Sequence, residues 1–291
     1  MSHAERSPRP HWAAAGLMAG AAFFFSLMAV CVKWASAHHG AAEIVLWRSA
    51  VGVIAMALWL RAARVPVRTR VPWMHLRRSG SGVLALLLWF HAIGGLPLAT
   101  AMTLNYMSSV WMALFVMGAA LLGGRTRGEG RLVLAVLAGF AGVTFVLQPT
   151  FQASAWVHGV SGLLSGMLSA AAYLQVSALG RAGEPEGRVV FYFSLGGVLV
   201  GGLGVLVTGV RPYSLHSVAL LLAVGVLATV AQLMMTRAYA IGATLANAAL
   251  AYLAVVFAVL FGVLWFDEPL NVPTLTGIAL IVGAGMMATF L

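Results

Sequence analysis

The sequence predicts an all-α integral membrane protein with ten transmembrane helices, arranged as a five-plus-five inverted-topology repeat. Composition, the placement of basic residues and one repeated offset lead to this prediction. The 291 residues are 62% hydrophobic and 8% charged, whereas soluble domains carry about 25% charged residues. The apolar runs are long and apolar on all sides, which favours helices over barrel strands. A water-soluble fold is therefore excluded.

Ten apolar runs are long enough, at about 20 residues, to be candidate membrane spans. A polar segment, 1–11, precedes them and is expected to be a cytoplasmic tail. The run after it has no clear cleavage site, so we interpret it as a first span and not as a signal peptide. The single cysteine excludes a disulfide framework. The ten runs are 12–36, 42–60, 79–95, 97–123, 131–148, 157–180, 189–209, 216–240, 243–266 and 272–290.

Basic residues concentrate on one side of the expected membrane. If the N-terminus is inside, the inner segments hold thirteen of the seventeen Lys and Arg residues, and the outer loops hold only Arg211. Cytoplasmic loops collect basic residues, so topology accounts for the net charge of +10 and no nucleic-acid partner is expected. We predict an inner (plasma) membrane protein with both termini cytoplasmic. The inner residues are Arg6, Arg9, Arg61, Arg64, Arg68, Arg70, Arg77, Arg78, Arg125, Arg127, Arg131, Arg181 and Arg188.

An offset of 146 residues relates separated parts of the chain. It aligns Ala92 with Ala238 and Tyr106 with Tyr252 within similar local sequences. It also aligns two Gly-x-x-x-Gly pairs, Gly16 with Gly20 and Gly162 with Gly166, which we predict to be helix-packing positions. Because five spans is an odd number, the second unit enters from the opposite side. The units are 12–148 and 149–291, and such repeats typically hold a central site between them.

The segment FHAIGGLPLATAMTLNYMSSVWMALFVMGAALLGG, its counterpart ending in LFGVLWFDEPL and the two-times-five plan resemble the EamA-type branch of the drug/metabolite transporter superfamily. The resemblance implies a secondary transporter that moves a small organic metabolite by alternating access, with export favoured over uptake. An amino acid or similar zwitterion is our first expectation, and an uptake permease or proton-coupled antiporter is the alternative. Family members usually carry an acid after the fourth span. Gly123-Gly124-Arg125 lacks it, whereas Asp267-Glu268-Pro269 keeps the second motif.

Polar and aromatic side chains that could line a substrate cavity recur on the expected spans. Gln232 and Tyr239 share one stripe of the eighth span, and Asn105 and Ser109 share one stripe of the fourth. The fourth span keeps polar groups where the ninth is apolar, so we expect the fourth span to contact the substrate. Any single Trp or Tyr could instead belong to an interfacial belt or to packing. The predicted lining is Trp89, His91, Asn105, Tyr106, Ser109, Trp111, Tyr173, Gln232, Tyr239, Asn247 and Tyr252.

Ionisable residues inside a bilayer are costly, so each needs a physical reason. Glu43 could pair with Lys33 or Arg48 in a structural network; otherwise the two bases form an electropositive outer vestibule for a substrate carboxylate. By resemblance, Lys33 and Arg48 match basic positions of EamA-type proteins. His91 could couple protons, pack or contact substrate. Arg237, at the repeat offset from His91, is either the inner end of the pathway or a positive-inside anchor.

No catalytic cluster, metal-ligand spacing or phosphate-binding loop occurs, so we expect neither an enzyme nor a cofactor nor a metal site. The expected partners are a small-molecule substrate and the lipid bilayer, with protons as a candidate coupling ion. The oligomeric state stays open. A different class remains as an alternative, a membrane-embedded assembly subunit in which the polar face of the fourth span contacts a partner chain.

Overall fold

A computed structural model describes residues 9–122, 138, 141, 142, 145, 156–269 and 271–289. These residues form helices and connecting loops, without a strand among them. The expected fifth span, 131–148, lies almost wholly outside the described residues. The helices are α1 (Arg9–Ser36), α2 (Ala41–Ala62), α3 (Pro72–Gly95), α4 (Leu98–Tyr106), α5 (Ser108–Leu122), α6 (Trp156–Arg181), α7 (Glu186–Thr208), α8 (Leu215–Ile241), α9 (Thr244–Leu250), α10 (Leu253–Phe266) and α11 (Val272–Thr289).

Apolar helices of membrane-spanning length dominate the described part of the chain. The all-helical membrane fold expected from the sequence is confirmed at this level. Helix α3 does not reach the same apolar character, because Arg77 and Arg78 lie in its second turn. Within the described residues, seven segments are long and apolar enough to cross a bilayer: Trp12–Ser36, Ala41–Ala62, Leu98–Ala119, Trp156–Arg181, Glu186–Thr208, Leu215–Ile241 and Ala246–Phe266.

Two of the expected spans, 97–123 and 243–266, reach membrane-spanning length as Leu98–Ala119 and Ala246–Phe266, and each has a short break between two helices. The first breaks at Met107 between α4 and α5, and the second breaks at Ala251 and Tyr252 between α9 and α10. The Ser109 hydroxyl donates to the carbonyl oxygen of Ala248 at 2.6 Å. This bond joins the two interrupted spans next to both breaks.

Three helix pairs form the main packing of the bundle. Helix α1 packs most extensively on α8, α3 on α6, and α2 on α7. The α2–α7 contact is close because glycines face it: a Cβ at Gly201 would lie 2.8 Å from the Leu46 amide nitrogen. The main buried apolar cluster takes side chains from each of the helices α1 to α10. Contacts between the two predicted repeat units therefore hold the bundle together.

The glycines predicted for helix packing differ in their surroundings. Gly162 and Gly166 pack against α4, and a Cβ at Gly166 would lie 2.6 Å from the Leu104 carbonyl oxygen. Gly20 faces the terminal methyl of Met234 on α8. Gly16 is exposed, and a Cβ there would meet no atom within 4 Å. The packing prediction is therefore wrong for Gly16 within this chain.

A polar cluster ties the loop before α3 to the loop before α7. The Glu184 carboxylate accepts hydrogen bonds from Thr69 at 2.9 Å and from Arg188 at 2.9 Å, and its other contact is His75 at 3.1 Å. Arg188 also donates to the carbonyl oxygen of Pro66. Burial acts to raise the pKa of Glu184, but the hydrogen bonds from Arg188, Thr69 and His75 outweigh it and lower the pKa below its ordinary value.

Replacing Glu184 by glutamine is expected to destabilise the protein by about 1–3 kcal/mol, since charge-assisted hydrogen bonds weaken. A carboxylate with a lowered folded-state pKa stabilises the protein above its unfolded-state pKa, and this contribution disappears as the pH falls through the folded-state value. Melting of the detergent-solubilised protein should therefore show a lower temperature for Glu184→Gln at pH 7 and a smaller difference near about pH 4. Glu186→Gln is the control, because its partner Arg237 is exposed. Equal melting temperatures at pH 7 would contradict this role of Glu184.

Candidate functional site

A cavity lies at the centre of the bundle, between the two predicted repeat units. The space between its walls that atoms do not fill is about 390 Å³, part of it open to solvent. Helices α1, α2, α3 and α4 supply one wall, and α6, α7 and α8 supply the other. A mostly apolar pocket with a few convergent polar groups is typical of small-molecule sites. Its polar and principal apolar lining residues are Arg48, Arg78, Asn105, Ser169, Tyr173, Gln232, Phe25, Leu86, Trp89 and Phe193.

Two buried arginines dominate the charge of this cavity. Arg48 is 4% exposed and Arg78 is 2% exposed. Both guanidinium groups lie over the ring of Phe193, with Cζ at 5.1 Å and 4.2 Å from its centroid. Arg48 donates one long hydrogen bond, 3.4 Å, to the side-chain oxygen of Gln232. Within the described residues, the Nε atoms of both arginines and Nη1 of Arg78 have no hydrogen-bond partner.

Acidic side chains of the described residues form their ion pairs elsewhere. Glu43 lies 3.0 Å from His39, so the expected pairing of Glu43 with Lys33 or Arg48 is wrong. The other pairs are Glu184 with Arg188, Glu186 with Arg237, and Glu268 with Lys33, while Asp267 is exposed. None of the described carboxylates neutralises the cavity arginines. These residues also contain no cluster of three or more His, Cys, Asp or Glu side chains placed to hold a metal ion.

Arg78 is the charged cavity residue that the sequence interpretation missed. It lies immediately before the run 79–95 and was assigned to the basic residues of an inner loop. In the structure, α3 begins at Pro72, so Arg78 is helical and faces inward. Gly82 follows one turn later and gives the guanidinium room, because a Cβ there would collide with Nη1 of Arg78. The signal in the sequence is Gly82, which lies four residues after Arg78 and therefore on the same face of a helix.

Four residues of the predicted lining reach the central cavity: Trp89, Asn105, Tyr173 and Gln232. The Asn105 amide donates to Ser165 at 3.0 Å and to Ser169 at 3.3 Å, so this buried amide has the partners that it requires. The Trp89 indole nitrogen has no partner among the described residues. Of these two cavity residues, Asn105 has an amide held by hydrogen bonds, and Trp89 has an indole N–H without a partner in the described part of the chain.

A second, smaller void of about 240 Å³ adjoins the first. Phe25 and Tyr173 line both, so these two side chains separate them. Tyr106 and Tyr239, also predicted as lining, face the smaller void, and the ring of Tyr239 stacks on Tyr173 at 5.6 Å. A rearrangement of Phe25 or Tyr173 would join the two spaces.

The remaining predicted lining residues lie outside both voids. Asn247 donates to the Ala238 carbonyl oxygen at 2.6 Å, and Ser109 makes the bond to Ala248 described above. Trp111 packs near Phe115 with ring centroids 6.4 Å apart, and Tyr252 is buried away from the cavity. His91 is exposed and stacks on His158 at 4.3 Å. The interpretation of His91 as a substrate-contacting residue of the cavity is therefore wrong.

The basic residues predicted for gating lie at opposite ends of the helices. The Lys33 ammonium donates to the Leu96 carbonyl oxygen at 2.6 Å and lies 3.7 Å from Glu268. The Glu268 carboxylate accepts from the amide nitrogens of Leu98 at 2.6 Å and Ala99 at 3.4 Å, at the start of α4. Glu268 therefore joins the end of α1, the start of α4 and the segment after α10. We call these contacts the Lys33–Glu268 junction. Arg237, at the other end, is exposed and pairs with Glu186.

Comparisons with known proteins point to membrane transporters. Pseudopaline exporters CntI from two strains of Pseudomonas aeruginosa are 36% identical over 265 residues, which cover 91% of this chain and 91% of each exporter. A riboflavin transporter of Rhizobium johnstonii is 29% identical over 227 residues, covering 77% of this chain and 72% of that protein. A solved crystal structure, 19% identical, covers 96% of this chain with a TM-score of 0.76, which shows the fold alone. No family model matches the chain.

Proposed function

The chain belongs to the family of membrane transporters that includes the pseudopaline exporters, and we propose that it moves a small organic metabolite by alternating access. The observation that carries this proposal is the central cavity, where buried polar side chains from both predicted repeat units converge in an otherwise apolar bundle. Polar and ionisable groups at such depth are costly and typically mark a substrate pathway. The relatives are named as transporters, which supports the proposal that this cavity binds a transported solute.

The proposal includes ten spans in an inverted repeat, with both termini cytoplasmic in the inner membrane. The packing supports it: the offset exchanges spans one and three for spans six and eight. The α1–α8 contact therefore corresponds to the α6–α3 contact, while α2–α7 corresponds to itself. The two interrupted spans also break at Met107 and at Ala251 and Tyr252, close to the same offset. Binding between two inverted units with discontinuous helices is common among secondary transporters.

Alternating access requires contacts that close each end of the cavity in turn. The Lys33–Glu268 junction joins three elements at the proposed outer end. At the proposed inner end, Asn247 of α9 donates to the Ala238 carbonyl oxygen of α8. The outer end is thus held by contacts among three elements, whereas the Asn247 bond joins two helices that follow each other directly in the chain. Breaking the Lys33–Glu268 junction would therefore open the cavity towards the proposed outer end.

Export of an amino acid or a related metabolite is the direction and class that we propose, because the most similar relatives described above are named exporters. A carrier of this kind transports its substrate down the concentration gradient in either direction, so the gradient decides whether net export or uptake occurs. The assembly-subunit alternative predicts that Asn105 contacts a partner chain. Its hydrogen bonds to Ser165 and Ser169 within this chain favour the cavity instead.

Counterflow in proteoliposomes tests the proposal. Vesicles loaded with individual amino acids and metabolites should accumulate the matching labelled solute transiently, in a saturable way. Asn105→Ala is expected to lower this exchange about tenfold, because it removes a buried amide worth on the order of 1–2 kcal/mol from the cavity wall. His91→Ala is the control and should keep the exchange, because His91 lies outside the cavity.

Two results would contradict this proposal. The first is an absence of exchange for every solute tested, together with a stable co-purifying subunit, which would favour the assembly role. The second is an equal loss of exchange in His91→Ala and Asn105→Ala, since only one of the two residues lines the cavity. Size-exclusion profiles that match wild type are required of both variants.

A further inference from the structure

We propose that the central cavity takes an organic solute with net negative charge, whose carboxylate or phosphate oxygens contact Arg48 and Arg78 together. This names the substrate class of the proposed transporter and rests on that function. It also replaces the broader expectation of an amino acid or similar zwitterion by solutes whose net charge is negative. Three features of the cavity support this assignment: its uncompensated charge, the unpaired donors of its two arginines and the chemistry of its remaining wall.

The cavity has two positive charges and no compensating acid among the described residues. Arg48 and Arg78 contact the same aromatic ring, so their like charges lie close together and repel each other. Removing an ionised group from water without a partner is strongly unfavourable. The five acidic residues of the described part are exposed or paired outside the cavity, as shown above. A bound solute with two anionic groups would neutralise both guanidiniums.

Both arginines keep unused hydrogen-bond donors. Nε of Arg48 and both Nε and Nη1 of Arg78 are buried and have no partner in the described part of the chain. The planar fork of a guanidinium fits carboxylate and phosphate oxygens through parallel hydrogen bonds. Phe193 supports both groups from one side, and the missing side chain at Gly82 leaves space for Arg78. The neighbouring residues therefore hold the arginines in place without using these donors.

The rest of the wall suits an uncharged or weakly polar body. Asn105, Ser169, Tyr173 and Trp89 offer hydroxyl, amide, indole and aromatic contacts. No carboxylate is among the lining residues, so a substrate ammonium finds only neutral or aromatic contacts there. A simple zwitterion brings one negative charge for two arginines, plus a positive charge without an anionic partner. A solute with a second carboxylate or a phosphate matches the site better.

Binding to the wild-type protein in detergent is the first test, measured by isothermal titration. The probes are succinate, glutamate, glutamine, dimethyl succinate and glycerol phosphate. We expect succinate and glutamate to bind at least about tenfold more tightly than glutamine and dimethyl succinate, since each charge-assisted hydrogen bond contributes a factor of that order. Glycerol phosphate separates the two oxyanions: tighter binding than succinate assigns the site to phosphate. Glutamine binding as tightly as glutamate would overturn the proposal.

A matched pair of variants then assigns the effect to the cavity. Arg78→Gln should weaken succinate or glycerol phosphate binding about tenfold to a hundredfold. Arg77→Gln should leave it unchanged, because Arg77 is exposed and stacks on Trp73 at 5.4 Å. Arg78→Gln should also melt at the same or a higher temperature than wild type without ligand, because it removes an unpaired buried charge. A large loss of stability, or unchanged anion affinity, would show a structural role and overturn the proposal.

The two proposals fail in different ways. Arginine-dependent anion binding without counterflow of any solute would contradict the transport proposal but support the anion site. Counterflow of a zwitterion that continues at the wild-type rate in Arg48→Gln and Arg78→Gln would contradict the anion site but support the transport proposal.

Discussion

Replacing Gly166 by alanine is expected to destabilise the protein by about 2–3 kcal/mol and to abolish most exchange. A Cβ at this position would lie 2.6 Å from the Leu104 carbonyl oxygen and 3.0 Å from the Asn105 carbonyl oxygen. Both obstacles are backbone atoms, so a side-chain rotation cannot relieve the clash. Overpacking typically costs about 1–3 kcal/mol, and only part of it is offset by the higher helix propensity of alanine. A shift of α4 away from α6 would lengthen the hydrogen bonds from Asn105 to Ser165 and Ser169.

Gly16→Ala is the matched control for Gly166→Ala. The two glycines belong to the two predicted Gly-x-x-x-Gly pairs, yet a Cβ at Gly16 would meet no atom within 4 Å. Its replacement by alanine should leave the melting temperature unchanged or slightly raised, since alanine favours helix by about 1 kcal/mol. Thermal melting in detergent and counterflow measure both variants. Wild-type behaviour of Gly166→Ala would show that α6 and α4 are further apart than the structure places them.

The apolar runs predicted most helices correctly, because membrane spans depend on composition that a sequence shows directly. The breaks at Met107 and at Ala251 and Tyr252 were not predicted. No proline or glycine marks the first interruption. The residues around it, such as Asn105, Ser108 and Ser109, are all tolerated in helices. The long-range bond from Ser109 to Ala248, which lies next to both breaks, is also absent from any local periodicity.

For the charged residues, too, the sequence predicted one property and not another. Their positions near the ends of spans were evident from the sequence, whereas their partners were not. Glu43 was the near candidate for Lys33, but the structure brings in Glu268 from the far end of the chain. Arg78 fitted the positive-inside pattern and so needed no further explanation. Its burial depends on Phe193 of α7, and only the packed bundle reveals that neighbour.

Replacing Glu268 by glutamine is expected to open the proposed outer end of the cavity about ten to a hundred times more often. The Glu268 carboxylate accepts amide hydrogen bonds at the start of α4 and lies 3.7 Å from the Lys33 ammonium. Glutamine keeps one acceptor oxygen but loses the negative charge, so about 1.5–3 kcal/mol of this closed state is lost. A less stable closed outer end would then be open in a larger fraction of molecules.

Cys31 reports this opening without any added label site. It is the single cysteine of the chain, is 8% exposed and belongs to the same buried apolar cluster as Leu96 and Leu98, whose backbones are bonded at the junction. A membrane-impermeant maleimide should therefore modify Glu268→Gln faster than wild type in right-side-out vesicles. Asp267→Asn is the control, because Asp267 is exposed with φ of 50°, a backbone conformation that asparagine also tolerates. Its labelling should stay at the wild-type rate. Equal acceleration in both variants would mean that the loop as a whole, and not the Lys33–Glu268 junction, holds this end closed.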